Sequence, residues 1–308
     1  MTGTFTALVQ RRWVDLDAQG HVNNTLVADH LQEARTQLLM RADLASLLER
    51  GCVVVSHHVE YLSPILFRPA PLRVEVAVGE VGAARFEIDY VVWDADVRCA
   101  RARTVLCPYD LTVGLPRRLT PAERAGLAAY RPAGAAAADA LAAQGFTPLR
   151  DLPMVPLAGR GEPYPTWVRW SDLDRYGHVN NVRLFDYVQE ARIAAMERMD
   201  RSMARLGSSA WGDGGTAASA GESPLMWLVA RQDVAYLSPV AHRGEPYEMR
   251  TQPVKIGTTS MTLVAELVDP LNDGAVLARS ATIVVCADAT TGRPTPLPGG
   301  VRALFEES

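Results

Sequence analysis

Four cysteines stand in 308 residues, at Cys52, Cys99, Cys107 and Cys286, and no two form a CxxC pair. They are too few and too scattered for a disulfide framework or a zinc site, so they read as reduced, mostly buried small hydrophobes, with Cys107 a minor candidate nucleophile. Long apolar runs are also missing. None reaches the roughly 18–20 residues that cross a bilayer, and the opening MTGTFTALVQRRWVDLD has no basic segment followed by an apolar one. The expectation is a cytoplasmic protein with no membrane partner. Clustered positive charge is absent as well: the 31 Lys and Arg residues are dispersed and the formal net charge is −4, which excludes the footprint of a nucleic-acid binder. What remains is globular in composition, 48% apolar and 21% charged, and long enough for two domains or one large one.

The chain contains itself twice. Residues 12–35 and 169–192 align at an offset of 157 with 15 identities in 24 positions. The match resumes at EYLSP (Glu60–Pro64) and AYLSP (Ala235–Pro239), now offset by 175. It returns where Arg101, Thr104, Asp110, Thr112, Gly114 and Pro116 meet Arg279, Thr282, Asp288, Thr290, Gly292 and Pro294 at an offset of 178. So long a period exceeds the about 20–50 residues of solenoids and propellers, and each copy can hold its own core. The expected organisation is a domain over 1–120, an Ala/Pro-rich linker over 121–162 and a second domain over 163–308. In the linker, Thr120, Pro121 and Glu123 carry a capping-box signature for a short helix. Residues 135–144 offer another helical piece, and Pro148, Pro153 and Pro156 mark an extended connector.

Within each copy the pattern is strand, long helix, then about four strands. Phe5, Ala7, Val9, Arg11 and Trp13 share one parity, a strand alternation that runs to about Asp15. Val27, Leu31, Ala34 and Leu38 then recur at helical spacing behind Asn23 or Asn24, either of which can cap the start. Leu184, Val188, Ala191 and Ala195 repeat the stripe behind Asn180 and Asn181. The β-branched segments VVVSHHVEYL, PLRVEVAVGEV, RFEIDYVVW and CARARTVLCPYDL follow. One helix per curved antiparallel sheet makes each copy α+β, with the helix covering the concave face.

Both copies place DLDxxGHVNN where the first strand hands over to the helix: Asp15, Asp17, Gly20, His21, Asn23 and Asn24, and Asp172, Asp174, Gly177, His178, Asn180 and Asn181. Asp, Gly and Asn suit a capped turn for local reasons alone, and that reading stays open. A calcium loop fails at its twelfth position, where Leu26 and Arg183 stand instead of a bidentate carboxylate. A transition-metal site built from Asp17 and His21 with His57 or His58 is disfavoured. Adjacent strand residues point to opposite faces, and the second copy has Gln232 and Asp233 there. The remaining reading is acyl transfer. A carboxylate beside a helix start attacks a carbonyl or activates water, while free N–H groups stabilise the developing oxyanion. Asp17 and Asp174 would be nucleophile or general base, and the backbone N–H groups of Asn24 and Asn181 would polarise the carbonyl.

The DxDxxGHVNN turn, the helix ending in QEAR, the YLSP strand and the closing D.T.G.P segment resemble the hotdog-fold acyl-CoA thioesterases of the 4-hydroxybenzoyl-CoA thioesterase type, and similarly the plant acyl-ACP thioesterases. The resemblance covers nearly all of both copies. It implies a tandem double hotdog, with two antiparallel sheets each wrapped around a long central helix, and an enzyme of lipid metabolism that hydrolyses an acyl-CoA or acyl-carrier-protein thioester. It assigns catalysis to Asp17 and Asp174, with His21, His178, Asn24 and Asn181 beside them, and requires no metal or other cofactor. The plant pattern also has an Asn two residues after the Asp. Gln19 and Tyr176 stand there, so Asp-centred chemistry is favoured.

Substrate-binding candidates are Gly20 and Gly177 in the turn, and Glu33 and Glu190, which either orient the site or pair with Arg35 and Arg192. Arg68 and Arg243, after the YLSP strand, either reach a CoA phosphate or are solvated charges. The extra stretch Gly207–Ser223 reads as a flexible loop, with a lid over one acyl slot as the alternative. A fused pair needs no partner to complete its sheet, though further pairing into a homo-oligomer stays open. Two rivals remain: a hotdog enoyl-CoA hydratase and a non-catalytic acyl-CoA-binding module.

Overall fold

The computed structural model describes residues 3–41, 43–132, 142–143, 145–147, 149–199, 203 and 225–306. The chain divides into two compact units, Met1–Asp15 with Val22–Asp151, and Leu16–His21 with Leu152–Ser308. The first unit contains β1 (Thr4–Val9), α1 (Leu26–Leu39), α2 (Ala45–Arg50), β2 (Cys52–Tyr61), β3 (Leu72–Val81), β4 (Phe86–Asp94), β5 (Val97–Asp110), β6 (Leu115–Pro116) and α3 (Pro121–Ala128). Its strands follow the order β1-β3-β4-β5-β2, all antiparallel, with β6 on β5. The second unit contains β7 (Glu162–Thr166), α4 (Arg183–Met199), β8 (Leu225–Tyr236), β9 (Tyr247–Ile256), β10 (Ser260–Asp269), β11 (Ala275–Asp288) and α5 (Gly299–Glu306). The order β7-β9-β10-β11-β8 repeats the topology of the first unit.

The helical stripes bury as their periodicity predicts. Val27, Leu31, Ala34 and Leu38 of α1 face inward, as do Leu184, Val188, Ala191 and Ala195 of α4. α1 lies against β1 and β3, and α4 against β7, β9 and β10. The strand expected to run to Asp15 stops at Val9. Beyond it Arg11 turns inward, donating to the Leu66 and Ala70 carbonyls and pairing with Asp94 at 2.8 Å, and Trp13–Asp15 form a 3₁₀ turn. α1 begins at Leu26, two residues later than Asn24. Asn23 accepts the Thr25 N–H at 3.2 Å, and Thr25 is the capping residue without a side-chain bond of its own.

The capping box at α3 forms as read. The Glu123 N–H donates to Thr120 Oγ1 at 3.2 Å, and the Thr120 N–H donates to Glu123 Oε2 at 2.8 Å. Glu123 is fully buried and takes two bonds from Arg117, at 2.8 and 2.9 Å. Burial raises its pKa, but these bonds outweigh it and hold the carboxyl down at about 2. A depressed folded-state pKa gives stability that is complete above the ordinary carboxylate value and lost as pH falls through the folded one. Glu123→Gln is therefore expected to cost on the order of 2 kcal/mol near neutral pH and to flatten the stability loss between about pH 4 and 2. Urea midpoints measured across that range check both.

The predicted helical piece at 135–144 and the Gly207–Ser223 insertion fall outside the described residues, apart from Ala142 and Ala143. The connector past Pro148 is fastened by side chains. The Leu152 N–H donates to Asp233 and the Leu157 N–H to Glu266, while Leu157 packs on Val264 and Ala281. α2 and α5 were not expected from the sequence; they bury Leu47 and Val301. Among the described residues no helix is long and apolar enough to cross a membrane. The cysteines are free and unpaired, and burial raises the Cys107 pKa, which keeps it a thiol and weakens its candidacy as nucleophile.

Candidate active site

The two DxDxxGHVNN segments adopt one geometry. In the first, the Asp17 N–H donates to the His21 carbonyl at 2.9 Å and the Gly20 N–H to the Asp17 carbonyl at 3.1 Å. In the second, Asp174, His178 and Gly177 do the same at 2.9 and 3.0 Å. Gly20 and Gly177 have φ of +83° and +78°, in the left-handed region, with open space where a side chain would stand. Gly20→Ala is accordingly expected to fit sterically but to cost about 1 kcal/mol through backbone strain, read as a lowered urea midpoint.

Each turn hangs from the first Asp of its motif. Asp15 is fully buried and accepts from the Arg12 N–H at 2.7 Å, from its guanidinium at 2.8 Å, and faces His30 Nε2 at 3.5 Å. Its burial favours the neutral acid, yet the His30 and Arg12 bonds prevail and lower the pKa to about 2. Asp172 repeats this with Arg169, and the Tyr187 hydroxyl takes the place of His30 at 2.6 Å. Its pKa is likewise lowered against burial by the Tyr187 and Arg169 bonds, while burial and the Asp172 contact raise that of Tyr187. The Asp15 and Asp172 carbonyls then receive the Asn23 and Asn180 N–H groups, both at 2.8 Å, which closes the chain back onto the helix start.

The second Asp of each motif is differently placed. Asp17 is partly exposed; Oδ1 accepts the Gln19 N–H at 2.9 Å, an Asx turn, while Oδ2 faces His21 Nδ1 at 3.3 Å. Asp174 likewise accepts the Tyr176 N–H, at 2.8 Å, but His178 is exposed and pairs with no carboxylate among the described residues. Each carboxylate thus tightens its turn with one oxygen; the second faces His21 in the first copy, while in the second copy no ion pair to Asp174 forms among the described residues.

Asn24 supplies donors. Among the described residues its backbone N–H meets no acceptor, and its buried side-chain Nδ2 has no partner. A buried donor such as this Nδ2 is costly unless something accepts from it. The Asn24 carbonyl is held by the Tyr61 hydroxyl at 3.0 Å, and the Asn181 carbonyl by Tyr236 at 2.8 Å. These tyrosines belong to the repeated YLSP segments. No local motif marks these tyrosines; their recurrence in both copies is the one signal the sequence carries for them.

The outer candidates divide. Glu33 and Glu190 are exposed, whereas Arg35 and Arg192 are buried. The Glu33–Arg35 pair does not form: residues two apart on a helix point to different sides. Arg35 instead donates to Tyr90 and Thr104. Arg243 is committed to Asp269 at 2.7 Å and stacks over Tyr247. Arg68 is about half-exposed and only 3.6 Å from Asp94, which Arg11 already neutralises, so Arg68 is the one able to reach outward. His57 and His58 are both buried, bonding Thr104 and Ser56, and no three His, Cys, Asp or Glu side chains gather into a metal-binding group among the described residues.

Residues 11–135 and 168–305 match the model of the thioesterase-like superfamily. The chain is similar in structure to the 12:0-ACP thioesterase from Umbellularia californica, at 14% identity and a TM-score of 0.64, over 92% of this chain and 98% of that one. It is also similar to an acyl-ACP thioesterase from Bacteroides thetaiotaomicron, at 14% identity and a TM-score of 0.61, over 91% and 96%. At that identity the likeness shows a shared fold, the hotdog fold. No curated protein matches the chain in sequence.

Proposed function

The chain belongs to the thioesterase-like superfamily and is a thioester hydrolase, and from that premise we propose that it cleaves acyl thioesters of coenzyme A or of an acyl carrier protein with the two duplicated turns of a double hotdog. The observation that carries this reading is the repeated turn. It offers a part-exposed carboxylate, Asp17 or Asp174, seven residues before a helix-start amide, and at Asn24 that amide meets no acceptor among the described residues.

The free oxygen of the carboxylate takes a proton from water, and the water oxygen bonds to the thioester carbonyl carbon. The Asn24 N–H, already fixed in place at the helix start, then donates to the oxyanion as it develops. Collapse breaks the C–S bond, and the carboxyl returns its proton to the leaving thiolate, yielding a free acid and a thiol. Direct attack by the same oxygen, through an acyl-enzyme that water then opens, uses the same groups and gives the same products. His21, facing Asp17 Oδ2, orients that oxygen. Asp15 and Asp172, fully engaged with their arginines, hold the turn.

A panel of acyl-CoA esters with a thiol-trapping dye tests the proposal. Release of free thiol supports it, hydration of crotonyl-CoA without thiol release marks a hydratase, and tight acyl-CoA binding with neither marks a binding module.

A further inference from the structure

We infer that Arg35, with Tyr90, Thr104 and His57, binds the far end of the acyl group and selects one that ends in a carboxylate; this rests on the hydrolytic reading above. Strand register gathers the cluster. Thr104 of β5 pairs with His57 of β2 and with Ile88 of β4, and Tyr90 pairs with Ala102. Paired residues share a face and so do residues two apart, so His57, Thr104, Ile88, Tyr90 and Ala102 all lie on one side of the sheet, and all are buried. On that otherwise apolar surface Arg35 Nη1 sits 3.3 Å from the Tyr90 hydroxyl and 3.5 Å from Thr104 Oγ1, which is 2.9 Å from His57 Nδ1.

Arg35 is 5% exposed, and among the described residues no carboxylate lies within ion-pair distance of it. Arg11, buried to a similar degree in the same unit, has Asp94 at 2.8 Å. A guanidinium keeps its charge at any working pH. Two hydroxyls share its hydrogen bonds but do not neutralise it, and a buried charge without a counter-ion is strongly disfavoured. A carboxylate fits the guanidinium fork in two-point fashion, and a bound ligand can supply it. Location points to the acyl end. Arg35 lies nine residues past Leu26, roughly 13 Å along α1 at about 1.5 Å per residue. A ligand whose carbonyl sits at the helix start and whose chain follows the helix therefore brings its other end to Arg35 after a medium length. The second copy lacks the cluster: Ala265 stands where Tyr90 does, Gln232 where His57 does, and Arg192 has Met196 Sδ at 3.8 Å.

The test compares matched thioesters on the full-length protein: octanoyl-CoA against suberyl-CoA, and decanoyl-CoA against sebacyl-CoA. Wild type is expected to favour the carboxylate-ended member of at least one pair by roughly tenfold or more in kcat/KM, and Arg35→Met to bring that ratio close to one. Free suberate or sebacate, but not octanoate or decanoate, is expected to raise the melting temperature of wild type and not of Arg35→Met. Should that variant fail to fold, Tyr90→Phe is expected to shrink the same ratio. Equal rates within both pairs, or a ratio that Arg35→Met leaves unchanged, overturn the inference while leaving thioester hydrolysis intact. If no thioester is cleaved the hydrolytic reading fails, and the melting shifts alone then decide whether Arg35 binds a carboxylate.

Discussion

The double variant Asp17→Asn with Asp174→Asn is expected to lose thioester hydrolysis by about 10²- to 10⁴-fold in kcat, the range contributed by a positioned acid–base group. Asparagine has the shape of aspartate, and its carbonyl oxygen can still accept the Gln19 or Tyr176 N–H that the native Oδ1 accepts. The turn therefore survives while the basic oxygen is replaced by an amide nitrogen. Both carboxylates are part-exposed, so little folding energy depends on their charge. The two single variants apportion the turnover between the copies, and a circular-dichroism melt establishes that the fold persists. A double variant that turns over as fast as wild type, with its fold intact, removes these residues from the mechanism.

The opposite outcome is expected for the first Asp of each motif. Asp15→Ala should cost about 2–5 kcal/mol in stability, because it strands the Arg12 N–H and leaves His30 buried with neither ring nitrogen satisfied. The carboxyl is held near a pKa of 2 in the fold, so its contribution is complete above about pH 4 and disappears as pH falls toward 2. The gap between Asp15→Ala and wild type should therefore narrow with acidification. Urea denaturation at pH 7 and pH 3 checks both the size and the sign. An Asp15→Ala protein as stable as wild type at pH 7, yet inactive, would instead assign Asp15 to the chemistry.

Much of this architecture was legible because the chain repeats. The stripes on α1 and α4 follow from a 3.6-residue period, and the capping box of Thr120 and Glu123 is a purely local signal. Strand limits were less legible where side chains override local pattern. Parity carries the first strand to Trp13, but a buried Arg11 seeking Asp94 and the Leu66 and Ala70 carbonyls pulls the chain out of the sheet after Val9.

The site was half legible. Motif reading singles out Asp17, Gly20, His21 and Asn24, and the structure brings Asp17 and His21 within 3.3 Å. Nothing in the string DLD says which carboxylate is buried, so the motif alone assigns Asp15 no task; the arginine three positions earlier in both copies, Arg12 and Arg169, is the clue. Tyr61 and Tyr236 escaped because their partners are backbone carbonyls 37 and 55 residues away. Arg35 was misread through a neighbour in sequence that helix geometry turns away from it.

The most direct test is a crystal structure with a ketone analogue, in which a methylene replaces the thioester sulfur of a bound acyl-CoA. The account predicts the ketone oxygen about 2.7–3.1 Å from the Asn24 or Asn181 backbone nitrogen, with the free carboxylate oxygen of Asp17 or Asp174 facing the carbonyl carbon directly or through one water. An analogue bound elsewhere, with both carboxylates turned to bulk solvent and the Asn24 amide untouched, would contradict it.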